Sequence, residues 1–318
     1  MKFLYLLEKI RNPFFDWLFS LITHIGEETV FLVLALVFFW CVSKREGYFI
    51  LITGLAGTVI NQAAKLIFKI PRPWVRDPSF TIVESARAEA TGYSFPSGHT
   101  QNVAGTFGAI GRCSKRTPVR IISVVVIVLV AFSRMYLGVH TPLDVCVSLV
   151  VAAVLVFSLY PIFSSEERIN KFMPYVIGVS VLLSTGLLLY VFLMSREGVD
   201  PHNLASGMKN ASTLFGCTMA MIPVYLLDKK YIKFETDAAW YAQIIKLILG
   251  LAGVLAIKAG LSSPLVAIFG NEYIARGVRY FLIVMFAGAL WPLSFKFFAH
   301  LRIPALDNLF KRNKNKSE

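Results

Sequence analysis

Apolar runs long enough, or nearly long enough, to cross a membrane recur along almost the whole chain and restrict its fold more than any other feature. Two of them, 121–132 and 145–163, flank a short polar stretch. Hydrophobic residues make up 56% of the chain and charged residues only 16%, whereas about a quarter of an average soluble domain is charged. Inside hydrocarbon, only helices and closed barrels satisfy every backbone polar group. We therefore predict an all-α fold, a polytopic membrane helical bundle.

The apolar runs predict about nine transmembrane helices. Residues 1–170 are expected to hold an N-terminal interfacial helix and the core that carries the chemistry. Residues 171–310 are expected to add further transmembrane helices, and the polar basic segment 311–318 to be a disordered tail. The predicted spans are 28–42, 48–70, 97–112, 119–137, 142–163, 172–194, 210–228, 240–260 and 278–300.

The net charge of +13 predicts an orientation in the membrane and does not predict a nucleic-acid partner. The positive residues lie mostly in short connections between apolar runs, where they set topology. Seventeen Lys and Arg residues fall on one side of the nine-span arrangement, and fewer on the other. The excess predicts a cytoplasmic C-terminus, with the polar stretch between 121–132 and 145–163 on the extracytoplasmic face. For a bacterial chain this membrane is the plasma membrane.

Residues 133–144 place a guanidinium, an imidazole and a carboxylate between two apolar runs, where polar groups are costly. Thr141 and Asp144 fit the Ncap and N3 positions of a new helix, so Asp144 lies about one turn beyond His140. Asp144 can then accept a hydrogen bond from one imidazole nitrogen, which leaves the other nitrogen free as a nucleophile. The structural alternative is that Asp144 only completes a capping box, Arg134 lies at a helix end and His140 is a loop residue.

Three polar segments, far apart in sequence, are predicted to end at the same membrane face. Each is weak evidence alone, because a snorkelling lysine, a proline turn or a helix cap would explain it. Their occurrence together on one side indicates a common site. They are Lys65 with Arg72 and Pro73, then Pro96, Ser97, Gly98 and His99, and then Ser133, Arg134, His140 and Asp144.

These residue types fit a pocket for phosphoryl transfer. Lys65, Arg72 and Arg134 offer three cations to a phosphate dianion. Ser97 as Ncap leaves the backbone N–H groups after it pointing outward at the positive end of a helix. His140 is a candidate nucleophile and His99 a candidate acid for the leaving oxygen. No acidic cluster suited to magnesium accompanies these groups, so we expect a metal-independent reaction without a cofactor.

The three segments match the pattern Lys-x6-Arg-Pro, Pro-Ser-Gly-His, Ser-Arg-x5-His-x3-Asp. This pattern resembles that of the type 2 phosphatidic acid phosphatase (PAP2) superfamily, which includes membrane lipid phosphatases, undecaprenyl diphosphate phosphatases and glucose-6-phosphatase. The resemblance covers residues 28–163. It implies a PAP2-like catalytic core in which His140 forms the phosphohistidine. Asp144 would orient His140, and His99 would act as the acid. It also implies that Lys65, Arg72, Ser97, Gly98 and Arg134 bind the phosphate.

The substrate is expected to be a lipid phosphate or diphosphate, with an isoprenoid diphosphate as the first candidate. Helix 97–112 is roughly 24 Å long, short of a hydrocarbon layer of about 30 Å, so the pocket should lie near the headgroups. The predicted arrangement of spans is similar to those of glucose-6-phosphatase and sphingosine phosphate phosphatases. Three alternatives stay open: hydrolysis of a soluble phosphate ester, lipid phosphotransfer, and anion transport without catalysis. The expected partners are the substrate and membrane lipids, without nucleic acid.

Overall fold

The computed structural model describes residues 1–303, and every regular element in that range is helical. The predicted tail 311–318 lies outside the described residues. The helices, in chain order, are α1 (Lys2–Lys9), α2 (Pro13–Thr23), α3 (Glu28–Val37), α4 (Lys44–Phe68), α5 (Pro73–Arg76), α6 (Gly98–Cys113), α7 (Thr117–Tyr136), α8 (Pro142–Leu159), α9 (Glu166–Leu193), α10 (Pro201–Leu227), α11 (Trp240–Gly260), α12 (Ser262–Phe269), α13 (Glu272–Met285) and α14 (Phe295–His300).

The prediction of a polytopic helical bundle is confirmed, although the number of spans differs. Seven helices within residues 1–303 are long and apolar enough to cross a membrane, and an eighth span results if Pro13–Gly26 and Glu28–Val42, bent by 50°, are taken as one. The predicted span 97–112 is in neither count, and the predicted span 28–42 is included only when the bent pair is taken as one span. The span 97–112 corresponds to α6, whose 16 residues are fewer than the roughly 20 that a typical bilayer requires. The division of the chain at residue 170 stays a prediction.

Helix ends follow the local sequence. Ser43 and Ser97 accept backbone hydrogen bonds at the starts of α4 and α6. Thr141 and Asp144 form a reciprocal capping box at the start of α8, and Pro142 occupies a first-turn position where its missing N–H is not needed. These caps begin helices α6 and α8 directly beside the polar segments identified in the sequence.

Helix α6 lies at the centre of the N-terminal half and packs against α4, α7 and α8. In the C-terminal half, α10 packs closely against α9 and α13, and it also contacts α4, which joins the two halves. Outward-facing positions of α7 carry exposed apolar side chains such as Val124 and Val128, as expected for a lipid-facing surface. Because α4 and α7 run opposite to α6 and α8, the C-terminal ends of the first pair meet the N-terminal ends of the second pair at one face.

Candidate active site

A cavity of about 300 Å³ opens at this face, and residues of α3, α4, α6, α7 and α10 and of the segments between helices line it. The sequence-predicted residues come from different elements. Lys65 lies near the end of α4, Arg72 just beyond it, His99 in the first turn of α6, Arg134 near the end of α7 and His140 before α8. All five line the cavity, as does Gly98. The structure therefore brings together groups that lie up to 75 positions apart in the sequence.

The segment between α7 and α8 turns back tightly to present His140. The carbonyl oxygen of Arg134 accepts hydrogen bonds from the backbone N–H groups of Val139 and His140, each 3.2 Å long. Gly138 adopts φ +81° within this turn, a conformation that side chains with a Cβ rarely adopt. A Cβ at this position would also lie 3.0 Å from the Phe80 ring. The glycine therefore allows the turn that places the imidazole beside Arg134.

Asp144 lies behind His140, as the sequence predicted. Its Oδ2 atom is 3.4 Å from His140 Nδ1, and both side chains are almost completely buried. The same oxygen accepts hydrogen bonds from Ser94 Oγ at 2.7 Å and from the Thr141 backbone N–H at 2.8 Å. The carboxylate is thus both a helix cap and a neighbour of the imidazole. The functional and structural interpretations of this residue describe the same geometry.

The other ring nitrogen of His140 faces Arg72. The distance from Arg72 NH1 to His140 Nε2 is 2.9 Å. A guanidinium only donates hydrogen bonds, so Nε2 must accept, and the proton of a neutral ring lies on Nδ1, toward Asp144. Burial and the neighbouring cations, Arg72 foremost, hold the pKa of His140 well below its ordinary value. The imidazole is therefore neutral near pH 7, with a lone pair on Nε2.

Backbone carbonyl oxygens of the α5–α6 loop (residues 77–97) and of the turn between α7 and α8 hold two of the cations. Arg72 donates to the carbonyls of Thr91 (2.7 Å), Gly92 (3.1 Å) and Val139 (3.0 Å). Lys65 Nζ donates to the Tyr93 carbonyl. Carbonyl dipoles orient both cations without neutralising their formal charge, so the charge remains available to an anion.

Arg134 is oriented by a residue that the sequence did not indicate. Its NH1 atom donates to Thr23 Oγ1 at 2.6 Å, and both side chains are buried. The Nε and NH2 atoms of Arg134 and the Nε2 atom of His99 have no hydrogen-bond partner among the described residues. Unpartnered buried donors are rare in folded proteins. Because Arg134 and His99 line the cavity, these nitrogens fit a ligand rich in oxygen atoms.

Ser97 and Gly98 form the start of α6. Ser97 is fully buried, and its hydroxyl accepts hydrogen bonds from the backbone N–H and the hydroxyl of Thr100. Its side chain therefore caps the helix and does not line the cavity, whereas Gly98 does. Ser148 Oγ donates to the Ser97 carbonyl oxygen at 2.9 Å, which ties the start of α6 to α8.

Several cavity residues were missed by sequence reasoning or named only as members of loops. Helical spacing could have identified Gln62, which lies one turn before Lys65 on α4. Ser206 and Asn210 belong to α10, since that helix begins earlier than predicted. No local signal distinguished the three glutamates from ordinary helix-start or loop residues. The additional lining residues include Glu27, Glu28, Gln62, Glu89, Ser206 and Asn210.

Two family profiles match this chain. Residues 45–168 match the PAP2 superfamily, and residues 208–302 match the PAP2 superfamily phosphatase, transmembrane extension. The first match includes all the predicted site residues, from Lys65 to Asp144. Thr23, Glu27 and Glu28 precede it.

Curated relatives are similar to parts of the chain. A probable sphingosine-1-phosphate phosphatase of Dictyostelium discoideum is 31% identical over 46% of this chain and 38% of its own length. The undecaprenyl-diphosphatase BcrC of Bacillus subtilis is 32% identical over 43% of this chain and 66% of its own length. The phosphatidylglycerophosphatase B of Bacillus subtilis is 29% identical over 51% of this chain and 81% of its own length. No solved structure matches the chain.

Proposed function

This chain belongs to the PAP2 superfamily, and on that premise we propose that it is an integral membrane phosphatase that hydrolyses a lipid phosphate or diphosphate. The observation that carries the proposal is the cavity itself. In it the lone pair of His140 Nε2 faces Arg72, and unpartnered nitrogens of Arg134 and His99 border the same space. Such a site can hold a phosphoryl group with a nucleophile beside it.

In the first step, Arg72 NH1 exchanges its hydrogen bond to His140 Nε2 for one to a phosphoryl oxygen. The freed lone pair of Nε2 then attacks phosphorus, and the ester P–O bond breaks. Burial and neighbouring cations such as Arg134 lower the pKa of His99, so this imidazole is charged only beside the bound phosphate anion. There it transfers a proton to the leaving oxygen, and the lipid departs as an alcohol. The phosphorylated imidazole keeps its proton on Nδ1, where the Asp144 carboxylate stabilises the positive ring. The separation of 3.4 Å shortens in the reacting complex, as catalytic hydrogen bonds do when substrate is bound.

In the second step, water attacks the phosphohistidine from the side that the leaving group has vacated. His99 is now neutral and accepts the proton of this water, the P–N bond breaks, and inorganic phosphate leaves. His140 recovers the lone pair on Nε2, and His99 keeps the proton it accepted for as long as a phosphate anion lies beside it. The two histidines thus return to their starting states after each turnover.

Charge stabilisation in this scheme comes from side chains and does not require a metal ion. Lys65, Arg72 and Arg134 neutralise the phosphoryl oxygens as charge shifts toward them in the transition state. The backbone N–H groups at the start of α6 add a partial positive charge, and Gly98 leaves room for close approach. Arg72 is hydrogen-bonded to the nucleophile before the substrate binds and to a phosphoryl oxygen afterwards.

A lipid substrate is favoured by the position of the cavity at the ends of membrane helices. The relatives named above include a probable sphingosine-1-phosphate phosphatase and an undecaprenyl-diphosphatase, which supports a lipid-linked phosphate over a soluble ester. An isoprenoid diphosphate was the first candidate from the sequence. The proposal also places the cavity on the extracytoplasmic face and the C-terminus in the cytoplasm, following the distribution of positive charge.

The test is phosphate release from lipid phosphates by the purified full-length protein in detergent, with EDTA present. We expect turnover by the parent, with His140→Ala and His99→Ala at least about 10³-fold slower. Full activity of His140→Ala would refute the assignment. A phosphorylated alcohol in place of free phosphate would identify a transferase. Anion flux in vesicles that survives His140→Ala, without turnover, would identify a transporter.

A further inference from the structure

A second cavity lies between the two halves of the chain. Its volume is about 120 Å³, and residues of α3 and α4 on one side and of α10, α11 and α13 on the other line it. The lining side chains are hydrophobic, and they include Leu36, Leu55, Met221, Val254 and Ile283. The proposed reaction uses none of these residues, so the cavity has no part in the chemistry described above.

The lining of this cavity fits a hydrocarbon chain better than water. A buried water molecule needs several polar partners, and hydrophobic cavities accordingly stay dry and bind apolar molecules. The side chains around an empty cavity lose van der Waals contacts, and this loss destabilises the fold. A chain of methylene groups restores those contacts, and in a membrane lipids are the source of such chains.

The hydrophobic cavity adjoins the catalytic cavity along α3. Glu28 and Thr29 line the catalytic cavity, and Leu32, one helical turn further on, lines the hydrophobic one. All three side chains are exposed, so the rest of the described chain leaves this stretch of α3 uncovered. An accessible surface therefore leads from one cavity to the other.

Helices α4 and α10 show the same order of residues. On α4, Gln62 lines the catalytic cavity, and Leu55, seven positions away, lines the hydrophobic one. On α10, Asn210 and Met221 line the two cavities and are eleven positions apart. Both spacings return to nearly the same face of a helix and correspond to roughly 10–16 Å along its axis. The hydrophobic cavity thus lies deeper in the bundle, on the helix faces that border the catalytic cavity.

Charged groups near this route already have partners within the protein. Arg276 and Lys258 compensate the charge of Glu28. Arg276 Nε also donates a hydrogen bond of 2.7 Å to Thr213 Oγ1. These groups do not require a charged ligand, so the hydrophobic lining determines what the deeper cavity binds.

We propose that the hydrocarbon chain of the substrate runs along α3 from the catalytic cavity into this second cavity. The inference rests on the proposed function and gives a role to the C-terminal helices. Met221, Val254 and Ile283 lie in the segment 208–302 that matches the PAP2 transmembrane extension. This segment closes the chain-binding cavity and thereby selects substrates by chain length, because a chain that spans less than roughly 10 Å does not reach it.

The test compares octadecyl phosphate with hexyl phosphate, using the purified full-length protein in detergent. Val254→Trp fills the cavity, and Leu32→Trp narrows the route into it. Lipid chains are as apolar as the lining, so the cavity acts by holding the ester in position. We therefore expect each variant to lower kcat/KM for octadecyl phosphate by about tenfold.

Hexyl phosphate is the internal control, because its chain is too short to reach the cavity. Its kcat/KM should stay within about twofold of the parent in both variants. Leu255→Trp is the matched control variant, since Leu255 is adjacent in sequence, is 61% exposed and lines neither cavity. It should retain the kcat/KM of the parent for both probes.

A second measurement locates the chain without relying on turnover. Octadecyl phosphate with a diazirine near the end of its chain is crosslinked to His140→Ala, which lacks the nucleophile. We expect the label on cavity-lining residues of α10, α11 or α13, and we expect excess unlabelled octadecyl phosphate to remove it. Label confined to lipid-facing positions, or label that the excess does not remove, would overturn the proposed path of the chain.

The outcomes separate the chain-binding cavity from the enzyme. An unchanged kcat/KM for octadecyl phosphate in Val254→Trp and Leu32→Trp, or an equal loss for both probes, would overturn the chain-binding cavity while the phosphatase stands. Absence of phosphate release from both probes in the parent would overturn the proposed function and this inference with it. A folding defect in a Trp variant is detected by its melting temperature, and the crosslinked positions then decide.

Discussion

Thr23 offers a sharp test of how the site is assembled, because it precedes the segment that matches the PAP2 superfamily. Its Oγ1 atom accepts a hydrogen bond of 2.6 Å from Arg134 NH1, and the two side chains are 3% and 0% exposed. Nε and NH2 of Arg134 have no protein partner among the described residues. This hydroxyl is therefore the side-chain contact that orients the guanidinium.

Thr23→Val removes the hydroxyl and keeps the shape of the side chain. A hydrogen bond to a charged group contributes about 1.5–3 kcal/mol, so a loss of about 2 kcal/mol from the transition state corresponds to roughly 30-fold in kcat/KM. The assay is initial-rate phosphate release from a lipid phosphate in detergent, with kcat and KM resolved. Because the phosphoryl charge shifts during reaction, we expect kcat to fall along with kcat/KM.

Thr23→Ser is the matched control, since it keeps the hydroxyl and should retain activity within about threefold of the parent. A purely structural role for Thr23 would lower the melting temperature of Thr23→Val without a selective loss of kcat. If Thr23→Val has the kcat/KM of the parent, Arg134 does not depend on this contact, and the reasoning about its orientation is wrong.

Three further predictions concern the same face. Ser94→Ala removes one of the hydrogen bonds that hold the carboxylate behind the nucleophile, and we expect kcat to fall by about three- to tenfold in steady-state assays; an unchanged kcat would show that the remaining contact suffices. Arg72→Gln removes a positive charge that lowers the pKa of His140, so this pKa should rise toward its ordinary value. The acid limb of the kcat/KM profile should then move to higher pH, whereas Arg72→Lys should leave it in place; a limb that stays fixed in Arg72→Gln would contradict the cause assigned here. Gly138→Ala should destabilise the protein by about 1–3 kcal/mol, measured as thermal unfolding in detergent, because of its φ of +81°. Gly178→Ala in α9, where a Cβ would meet nothing within 4 Å, should be neutral or slightly stabilising, and equal melting of the two variants would contradict the role of the turn.

Local rules predicted the helices well where apolar runs and caps agree. The capping box of Thr141 and Asp144 was expected from sequence and is present. The same rules were less accurate for α6, which lies in the predicted place as a helix yet is too short to qualify as a span. Its polar and small residues face α4, α7 and α8, and burial inside the bundle takes the place of apolar contact with lipid. Hydropathy identifies helices whose side chains contact lipid. It therefore does not identify a central helix of this kind, whose side chains contact other helices.

The residue types of the site could be named from the chain because phosphate chemistry restricts them. Cations, paired imidazoles and a helix start are recognisable in sequence wherever they cluster in short motifs. Their partners were not recognisable. Thr23, Ser94 and the carbonyl oxygens of the α5–α6 loop contribute through their positions in the fold. Many residue types could occupy such positions.

The sequence by itself determined a helical membrane protein with three polar segments of phosphate-binding character. Hydropathy and helix capping depend on residues that are close in sequence, so both can be inferred from the sequence alone. Only the tertiary structure decided that Thr23 orients Arg134, that Ser97 turns away from the cavity, and that Glu28 and Glu89 enter it. The contact of Thr23 with Arg134 joins α2 to α7, and the cavity is lined by residues from α3 and from the loop between α5 and α6 as well. Contacts of this kind arise from packing between distant segments, and no pattern of neighbouring residues encodes them.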